Sequence, residues 1–228
     1  MECPLTNNAW LKIACTGAVV AAVLVSVSFS NGPGAKAQSS GDSRVQLGWA
    51  AVPVPLNLKG KNPAMVGLGS YLVNVAGDCN GCHSAGPQTE YAPGGNPYFN
   101  QPKIVNRATY LGGGQSFGAL IPGSYEIISR NLTPDASGLP EGGNTFEQFV
   151  AIMRTGVDPD HRHPACTGAP NPSCIPSPPF DADLLQVMPW PNFKDYSDHD
   201  LRAIYEYLSA VPCLQGGDPY EPANRCGK

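Results

Sequence analysis

Cys79-Asn80-Gly81-Cys82-His83 places two cysteines three positions apart, with a histidine directly after the second one. This C-x-x-C-H pattern is the attachment signal for c-type haem. Two thiols at this spacing can reach the two vinyl groups of one porphyrin. The histidine is then held beneath the iron, where histidine is a usual proximal ligand. The sequence therefore predicts one haem c, bound covalently by Cys79 and Cys82, with His83 as an axial ligand of its iron.

Three other uses of a C-x-x-C pair have to be weighed against haem attachment. A thioredoxin-like redox motif needs a βαβ setting, whereas a helix is predicted immediately before this pair. A zinc site needs further ligands at matching spacing, and the chain has no second C-x-x-C and only His161, His163 and His199 besides His83. A plain disulfide is the third alternative. An export signal favours haem, because bacteria attach c-type haem outside the cytoplasm.

Residues 1–37 have the features of a secretion signal. Lys12 is the only positive charge before an uncharged and mostly apolar run from Ile13 to Phe29, and Ala35-Lys36-Ala37 follows as a small-x-small cleavage pattern. The apolar run is slightly shorter than the roughly 20 residues of a membrane span. These features predict export to the periplasm or another extracytoplasmic compartment after cleavage, with an uncleaved membrane anchor as the alternative.

The remaining cysteines predict disulfides. The chain has eight cysteines, of which two precede residue 38 and two belong to the haem motif. Four cysteines allow three pairings, and paired thiols are expected in an oxidising compartment. Proximity in sequence favours pairing the first two with each other and the last two with each other. The four residues are Cys166, Cys174, Cys213 and Cys226.

Capping and spacing signals predict three helices within a domain at 62–212. The first covers 62–77, because asparagine can cap the free amides and proline fits the first helical position. A capping box begins the second at 145–155, and a serine cap begins the third at 197–208. Their apolar faces are Leu68, Tyr71, Leu72 and Val75 in the first helix, Phe146, Phe149, Val150 and Met153 in the second, and Leu201, Ile204, Tyr205 and Leu208 in the third.

The rest of the chain is predicted to consist mainly of turns and loops, in keeping with 26 glycines and 24 prolines. Residues 38–61 are predicted to form an extended N-terminal arm, and 213–228 a short C-terminal tail. Short strands are possible at Ile104-Val105 and Ile127-Ile128. A proline-rich loop is predicted at 158–187.

A second axial ligand is predicted at Met188. This residue lies in the stretch 187–191, whose prolines exclude a regular helix, so a stiff loop can point its thioether at an iron. The two other candidate methionines have helical packing to explain them, and the two candidate histidines lie on a solvated loop. These alternatives are Met65, Met153, His161 and His163.

The chain resembles the mono-haem class I cytochrome c superfamily, and within it the bacterial cytochrome c domains that accompany dehydrogenases and other respiratory complexes. The resemblance covers about residues 62–212. It is carried by Ala76-Gly77-Asp78 before the haem motif, Arg130-Asn131-Leu132-Thr133-Pro134-Asp135, Arg154-Thr155-Gly156, and Met188-Pro189-Trp190 before the last helix.

The resemblance implies an all-α cytochrome c fold, a small helical bundle around one haem, here with long loops and insertions. It implies that the first and last helices cross, with the face of Leu68, Tyr71 and Leu72 packed on the face of Leu201, Ile204 and Tyr205. It also implies His/Met ligation, carried over as His83 and Met188. The chain departs from the family in a long insertion between His83 and Asn131 and in a cysteine-bearing loop at 164–176.

An iron with both axial positions filled by protein has no open site for a substrate, so the expected function is one-electron transfer between redox proteins and not catalysis by this chain alone. Partners would be a dehydrogenase, an oxidase or another cytochrome. A haem-bearing subunit of a dehydrogenase or oxidase complex is the alternative, and a sensor or catalyst that releases Met188 is a third class. With 14 basic and 18 acidic residues, nothing indicates nucleic-acid binding.

Overall fold

The computed structural model describes residues 40–85, 87–119, 126–157 and 184–227. This part of the chain is mostly helical, with one small antiparallel sheet that the all-α expectation did not include. The helices are α1 (Ser40–Ala50), α2 (Pro63–Tyr71), α3 (Cys79–His83), α4 (Pro87–Glu90), α5 (Pro140–Gly143), α6 (Phe146–Thr155), α7 (Trp190–Phe193) and α8 (Asp198–Leu208). A π turn covers Leu72–Ala76, a 3₁₀ turn covers Pro97–Phe99, and the strands are β1 (Ser116–Ala119) and β2 (Glu126–Ile128).

The first predicted helix is present, but its last turn is a π turn. The side chain of Asn62 caps it by accepting a hydrogen bond from the amide of Ala64 at 2.9 Å. The amide of Gly77 donates to the carbonyl of Leu72, five residues earlier, at 2.8 Å. This wider turn shifts the register of the helix. The prediction that Val75 belongs to the buried face was therefore wrong, and Val75 is 49% exposed.

Helices α2 and α8 pack directly against each other, and their backbones approach closely at Gly69. A Cβ at Gly69 would lie 1.9 Å from the carbonyl oxygen of Ala203 and 2.7 Å from Cβ of Tyr207. The contact between the first and last helices that the resemblance implies is thus observed, with a glycine at a point of close approach. Leu72 and Ile204, which were expected to pack in this contact, both line the cavity described below.

The prediction of an extended N-terminal arm at 38–61 was wrong for its first part, since residues 40–50 form α1. This helix lies against α2 so closely that a Cβ at Gly48 would be 1.8 Å from the carbonyl oxygen of Gly67. Val45 and Trp49, one turn apart, pack on the core. Contact with α2 accounts for the helix, and such a contact leaves little local signal in the sequence.

The second and third predicted helices are confirmed as α6 and α8. The capping box of α6 is complete, because Thr145 accepts from the amide of Gln148 at 3.3 Å and the Gln148 side chain accepts from the amide of Thr145 at 2.8 Å. Gly156 ends α6 at φ 71°. Ser197 caps α8 by accepting from the amide of Asp200 at 3.1 Å.

The insertion after His83 is tied to the helices by side-chain hydrogen bonds around Tyr207. The hydroxyl groups of Tyr110 and Tyr207 lie 2.7 Å apart, and the Asn74 amide group donates to the Tyr207 hydroxyl at 3.0 Å. Ile127-Ile128 lies in β2 as predicted, whereas Val105 forms only an isolated bridge with Tyr91. Most of the proline-rich loop, 158–183, lies outside the described residues. Within the described segments, no helix is long and apolar enough to cross a membrane.

Candidate haem site

One cavity brings the four predicted site residues together: Cys79, Cys82, His83 and Met188 all line it. The space open to the centres of water molecules is about 210 Å³. Its walls are mainly apolar and come from the π turn, strands β1 and β2, α6, α8 and the segment before α7. The apolar lining residues are Leu72, Val73, Phe117, Ile127, Ile128, Leu132, Phe149, Ile152, Met153, Leu184, Leu185, Val187, Phe193, Ile204 and Leu208.

Helix α3 presents the two thiols of the motif. Cys79 and Cys82 stand three positions apart on a single helical turn, so both side chains lie on one face of it. Asp78 precedes the turn in a left-handed conformation, with φ 43° and ψ 44°. The buried side chain of Asn80 anchors the turn to the insertion, since its oxygen accepts from the amide of Leu111 at 2.9 Å.

The imidazole of His83 is oriented by a backbone carbonyl. Its Nδ1 lies 2.7 Å from the carbonyl oxygen of Arg130, 47 residues along the chain. Because a carbonyl oxygen only accepts hydrogen bonds, Nδ1 carries the proton and the lone pair of the neutral ring is on Nε2. This tautomer is the one that a metal-ligating histidine needs.

Burial lowers the pKa of His83, a hydrogen bond to the Arg130 carbonyl opposes that shift, and the positive charge of Arg130 adds to it. The net effect favours the neutral ring, which is the form that binds iron. The histidine is also held through its own backbone, since its carbonyl accepts from the amide of Gly113 at 2.5 Å.

The two cysteines are free thiols, so the structure does not show the plain-disulfide alternative. Burial raises the pKa of Cys79 to about 12, with further contributions from the charges of Asp78 and Cys82. Burial also raises the pKa of Cys82, followed by the charges of Asp78 and Glu90. Both thiols are therefore protonated at neutral pH in this structure.

The cavity contains two methionines with different backbone settings. Met153 is 5% exposed and lies on the regular helix α6, whereas Met188 lies in an irregular segment. Val187, immediately before it, has φ 68°, which is unusual for a β-branched residue. Met65 is not among the residues that line the cavity. The alternatives His161 and His163 lie outside the described residues.

The segment around Met188 is anchored by Gly156, at the end of α6. The ring of Trp190 packs on this glycine so closely that a Cβ there would lie 2.3 Å from the ring. The Gly156 carbonyl also accepts from the amide of Leu185 at 2.7 Å. Arg154 adds a hydrogen bond to the carbonyl of Lys194 and an ion pair with Asp198 at 2.8 Å. The two sequence motifs around 154–156 and 188–190 therefore meet in space.

A comparison with known proteins gives one informative relative. The chain is 28% identical over 165 residues to the gluconate 2-dehydrogenase cytochrome c subunit of Pantoea cypripedii. This similarity suggests a cytochrome c family. The match covers 72% of this chain and 26% of that subunit, so the chain spans about a quarter of its relative's length. No family model and no solved structure matches the chain.

A haem of the kind that a cytochrome c carries fits the residues of the cavity. The donor set consists of a histidine with its Nε2 lone pair available and a thioether, which is a usual pair for cytochrome c iron. The two thiols of α3 reach the same cavity, and the apolar walls suit a porphyrin. In the described part of the chain, no group of three or more His, Cys, Asp or Glu side chains could hold a metal ion, as a protein zinc site would require.

Several residues that shape the site were not predicted from the sequence. Arg130, whose carbonyl orients His83, also lines the cavity, and so does the buried Glu141. Phe117 comes from the unpredicted strand β1, and Tyr220 comes from the C-terminal tail. Arg130 begins the 130–135 motif that carries the resemblance, but that motif did not give it a role at the site, and no motif marks the other positions, which tertiary contacts bring to the site from distant parts of the chain.

Proposed function

We propose that this chain is an exported mono-haem c-type cytochrome that transfers single electrons as a subunit of a dehydrogenase or related oxidoreductase complex. Cys79 and Cys82 bind the haem covalently, and His83 and Met188 are the axial ligands of its iron. The observation that carries this proposal is the convergence of these four residues on one apolar cavity, with the proton of His83 on the nitrogen that faces Arg130.

The haem, when bound, supplies reversible one-electron oxidation and reduction. The residues of the chain hold, orient and shield it. The thiols of Cys79 and Cys82 prevent its loss, and the hydrogen bond to Arg130 keeps His83 in one orientation. His83 and Met188 would both hold the iron, which would leave no coordination position for a substrate. The apolar lining excludes water, which is one way in which a protein tunes the potential of a haem.

The name of the relative favours a subunit over a freely diffusing carrier. That relative is a cytochrome c subunit of a dehydrogenase, and it is considerably longer than this chain. A free carrier is the second candidate, since the same site would serve it. Export is proposed from the sequence of residues 1–37, which lie outside the described residues. The subunit and the free carrier would both act outside the cytoplasm.

Covalent haem attachment is tested on denaturing gels. The chain is expressed in a host with a cytochrome c maturation system and stained for haem peroxidase activity. The wild type is expected to keep its haem, and a Cys79→Ala, Cys82→Ala double variant is expected to lose it. Glu206→Gln serves as the control, because Glu206 forms an ion pair with Lys61 and does not line the cavity. Quantitative extraction of haem from the wild type by acid acetone would contradict the proposal.

The subunit and carrier readings are separated by co-purification from the native organism. An affinity-tagged chain is isolated from the membrane and soluble fractions and weighed by native mass spectrometry. A stable complex with a larger oxidoreductase is expected. A haem-loaded chain recovered as a monomer from both fractions would instead support the free carrier.

A further inference from the structure

The C-terminal tail is built as a closed and partly buried unit. The disulfide between Cys213 and Cys226, which confirms that predicted pairing, joins its ends with Cα atoms 5.8 Å apart. Inside this loop, Arg225 forms an ion pair with Glu221, and the two side chains are only 2% and 4% exposed. A buried ion pair is costly to form unless further hydrogen bonds satisfy its polar atoms. The partners of this pair therefore indicate what the tail holds.

Those partners belong to the loop Arg130–Thr133. Arg225 donates a hydrogen bond to the carbonyl of Thr133. Glu221 accepts one from the side-chain amide of Asn131 at 3.0 Å, and the same amide group donates to the carbonyl of Leu214 at 3.0 Å. The tail thus contacts this loop through both members of its ion pair and through its backbone.

Asn131 links these contacts to the rest of the loop. It is 1% exposed, and its side-chain oxygen accepts from the amide of Thr133 at 3.0 Å and from the Thr133 hydroxyl at 2.7 Å. That hydroxyl in turn accepts from the amide of Leu214 at 3.1 Å. The amide group of Asn131 therefore donates its hydrogen bonds to the tail, and the side-chain oxygen of Asn131 accepts its hydrogen bonds from the loop.

The residue before Asn131 is the one that orients His83. The Arg130 carbonyl, 2.7 Å from Nδ1 of His83, belongs to the peptide group that joins Arg130 to Asn131. A movement of Asn131 would therefore rotate this carbonyl and weaken its hydrogen bond to the imidazole. Outer hydrogen bonds of this kind fix ring orientation and tune a metal centre.

The tail also reaches the cavity itself. Tyr220 lines the cavity, and the amide of Gly217 donates to the carbonyl of Gly112 at 3.2 Å, next to Gly113. Gly113 is the residue whose amide binds the His83 carbonyl. The tail is thus connected to His83 in two ways: to the imidazole ring through the Arg130 carbonyl, and to the His83 backbone through Gly112 and Gly113.

We infer that the tail is a positioning element for the proximal ligand: the Glu221–Arg225 pair, closed in by the Cys213–Cys226 disulfide, holds Asn131 so that the Arg130 carbonyl keeps His83 in its ligating orientation. The inference rests on the proposed function for the role of His83. The contact between tail and loop does not depend on it. Breaking the ion pair should therefore speed hydrogen exchange in the 130–133 loop and at the His83 ring together. Exchange in the rest of the fold should change much less.

The test uses Glu221→Gln in the full haem-loaded chain, with hydrogen exchange measured by NMR. Exchange of the Leu132 and Thr133 amides and of the His83 ring N–H should accelerate by on the order of a hundredfold, because removing one partner of a buried ion pair is among the most disruptive single changes. Amides of α8 serve as the internal reference and should change much less. Reduction potential is the second readout and should shift.

Glu206→Gln is the matched control. Glu206 pairs with Lys61 at 3.5 Å on the surface, with side chains 25% and 21% exposed, and neither residue lines the cavity. This variant should leave loop exchange, ring exchange and potential unchanged. If Glu221→Gln does not fold, the Cys213→Ser, Cys226→Ser double variant tests the same coupling and should change exchange in the same direction by a smaller factor. The disulfide is removed by substitution and not by a chemical reductant, because a reductant would also reduce the haem iron.

Unchanged exchange at Leu132 and Thr133 in both tail variants would overturn the inference. So would faster amide exchange in the loop with an unchanged His83 ring proton and an unchanged potential, because the tail would then stabilise the loop without positioning the ligand. A chain without covalent haem would refute the proposed function instead. In that case the loop amides would still decide whether the tail holds the loop.

Discussion

Replacing Gly156 with alanine should release Met188 from the site although Gly156 is not itself a proposed ligand. Gly156 ends α6 in a left-handed conformation at φ 71°, and its position is buried beneath the ring of Trp190. Trp190 is two residues after Met188, and its amide donates to the Met188 carbonyl at 2.9 Å. A new methyl group at 156 must displace this ring, and the displaced ring carries the Met188 segment with it.

The magnitude follows from two separate costs. An alanine in the left-handed region is less stable than glycine by about 1–2 kcal/mol. The added Cβ would lie 2.3–2.5 Å from three atoms of the indole ring, and overpacking of this kind typically costs about 1–3 kcal/mol. Together they predict a loss of about 2–5 kcal/mol in the free energy of unfolding.

Gly138 offers a matched control for the first cost alone. It has φ 80°, and no atom lies within 4 Å of a Cβ placed there. Gly138→Ala should therefore lose only about 1–2 kcal/mol and keep its spectrum. Both variants are compared by denaturant unfolding and by the weak far-red absorption band of sulfur-ligated ferric haem, which should weaken in Gly156→Ala only.

Two outcomes would refute this reasoning. Equal destabilisation by the two substitutions would mean that Trp190 does not pack on Gly156. A Gly156→Ala variant that is strongly destabilised but retains the full band would mean that this contact does not position Met188.

Two further predictions concern the ligand and the thiols. Met188→Ala should abolish the far-red band, allow carbon monoxide to bind and lower the reduction potential. Met153→Ala should keep the band and lower the free energy of unfolding by about 2–5 kcal/mol. A band that survives in Met188→Ala would mean that another residue binds the iron. Because burial raises the pKa of Cys79 from 9.0 to about 12, its thiolate fraction at pH 8 is about a thousandfold below that of an ordinary thiol. Alkylation of Cys79 in the haem-free chain, followed by mass spectrometry, should thus be slow and keep rising above pH 9, and a rate equal to that of an unstructured cysteine would contradict the burial.

The helix ends could be predicted because capping is local chemistry. The side chains of Asn62, Thr145 and Ser197 accept hydrogen bonds from amides two or three residues later, so a short window of sequence contains both partners. Gly156 ends α6 for a similar reason, since its left-handed conformation suits glycine.

The elements that were missed depend on contacts between distant segments. Helix α1 lies against α2 where Gly48 meets Gly67, and neither glycine predicts the other. The π turn after Tyr71 changes the register by a single hydrogen bond to Leu72. Strand β1 contains only four residues, and its pairing with β2 carries little periodic signal.

The same division separates the predicted from the unpredicted parts of the site. Cys79, Cys82 and His83 lie within five consecutive residues at the spacing that haem attachment requires, so the motif alone predicts them as site residues. Their grouping with Met188 around one cavity is an observation of the structure. The carbonyl that orients His83 comes from Arg130, 47 residues away. The 130–135 motif contains this residue, but any residue type would provide the same oxygen, so the motif does not reveal the contact.

The insertion and the tail belong to the site, although the haem motif does not include them. Strands β1 and β2 of the insertion contribute Phe117 and Ile127 to the cavity, and the tail contributes Tyr220 and the support of the Arg130–Thr133 loop. Burial and outer hydrogen bonds are two of the means by which a protein sets a haem potential. In the proposed function the C-x-x-C-H motif would attach the cofactor, whereas its potential should depend largely on segments that reach the cavity from outside that motif.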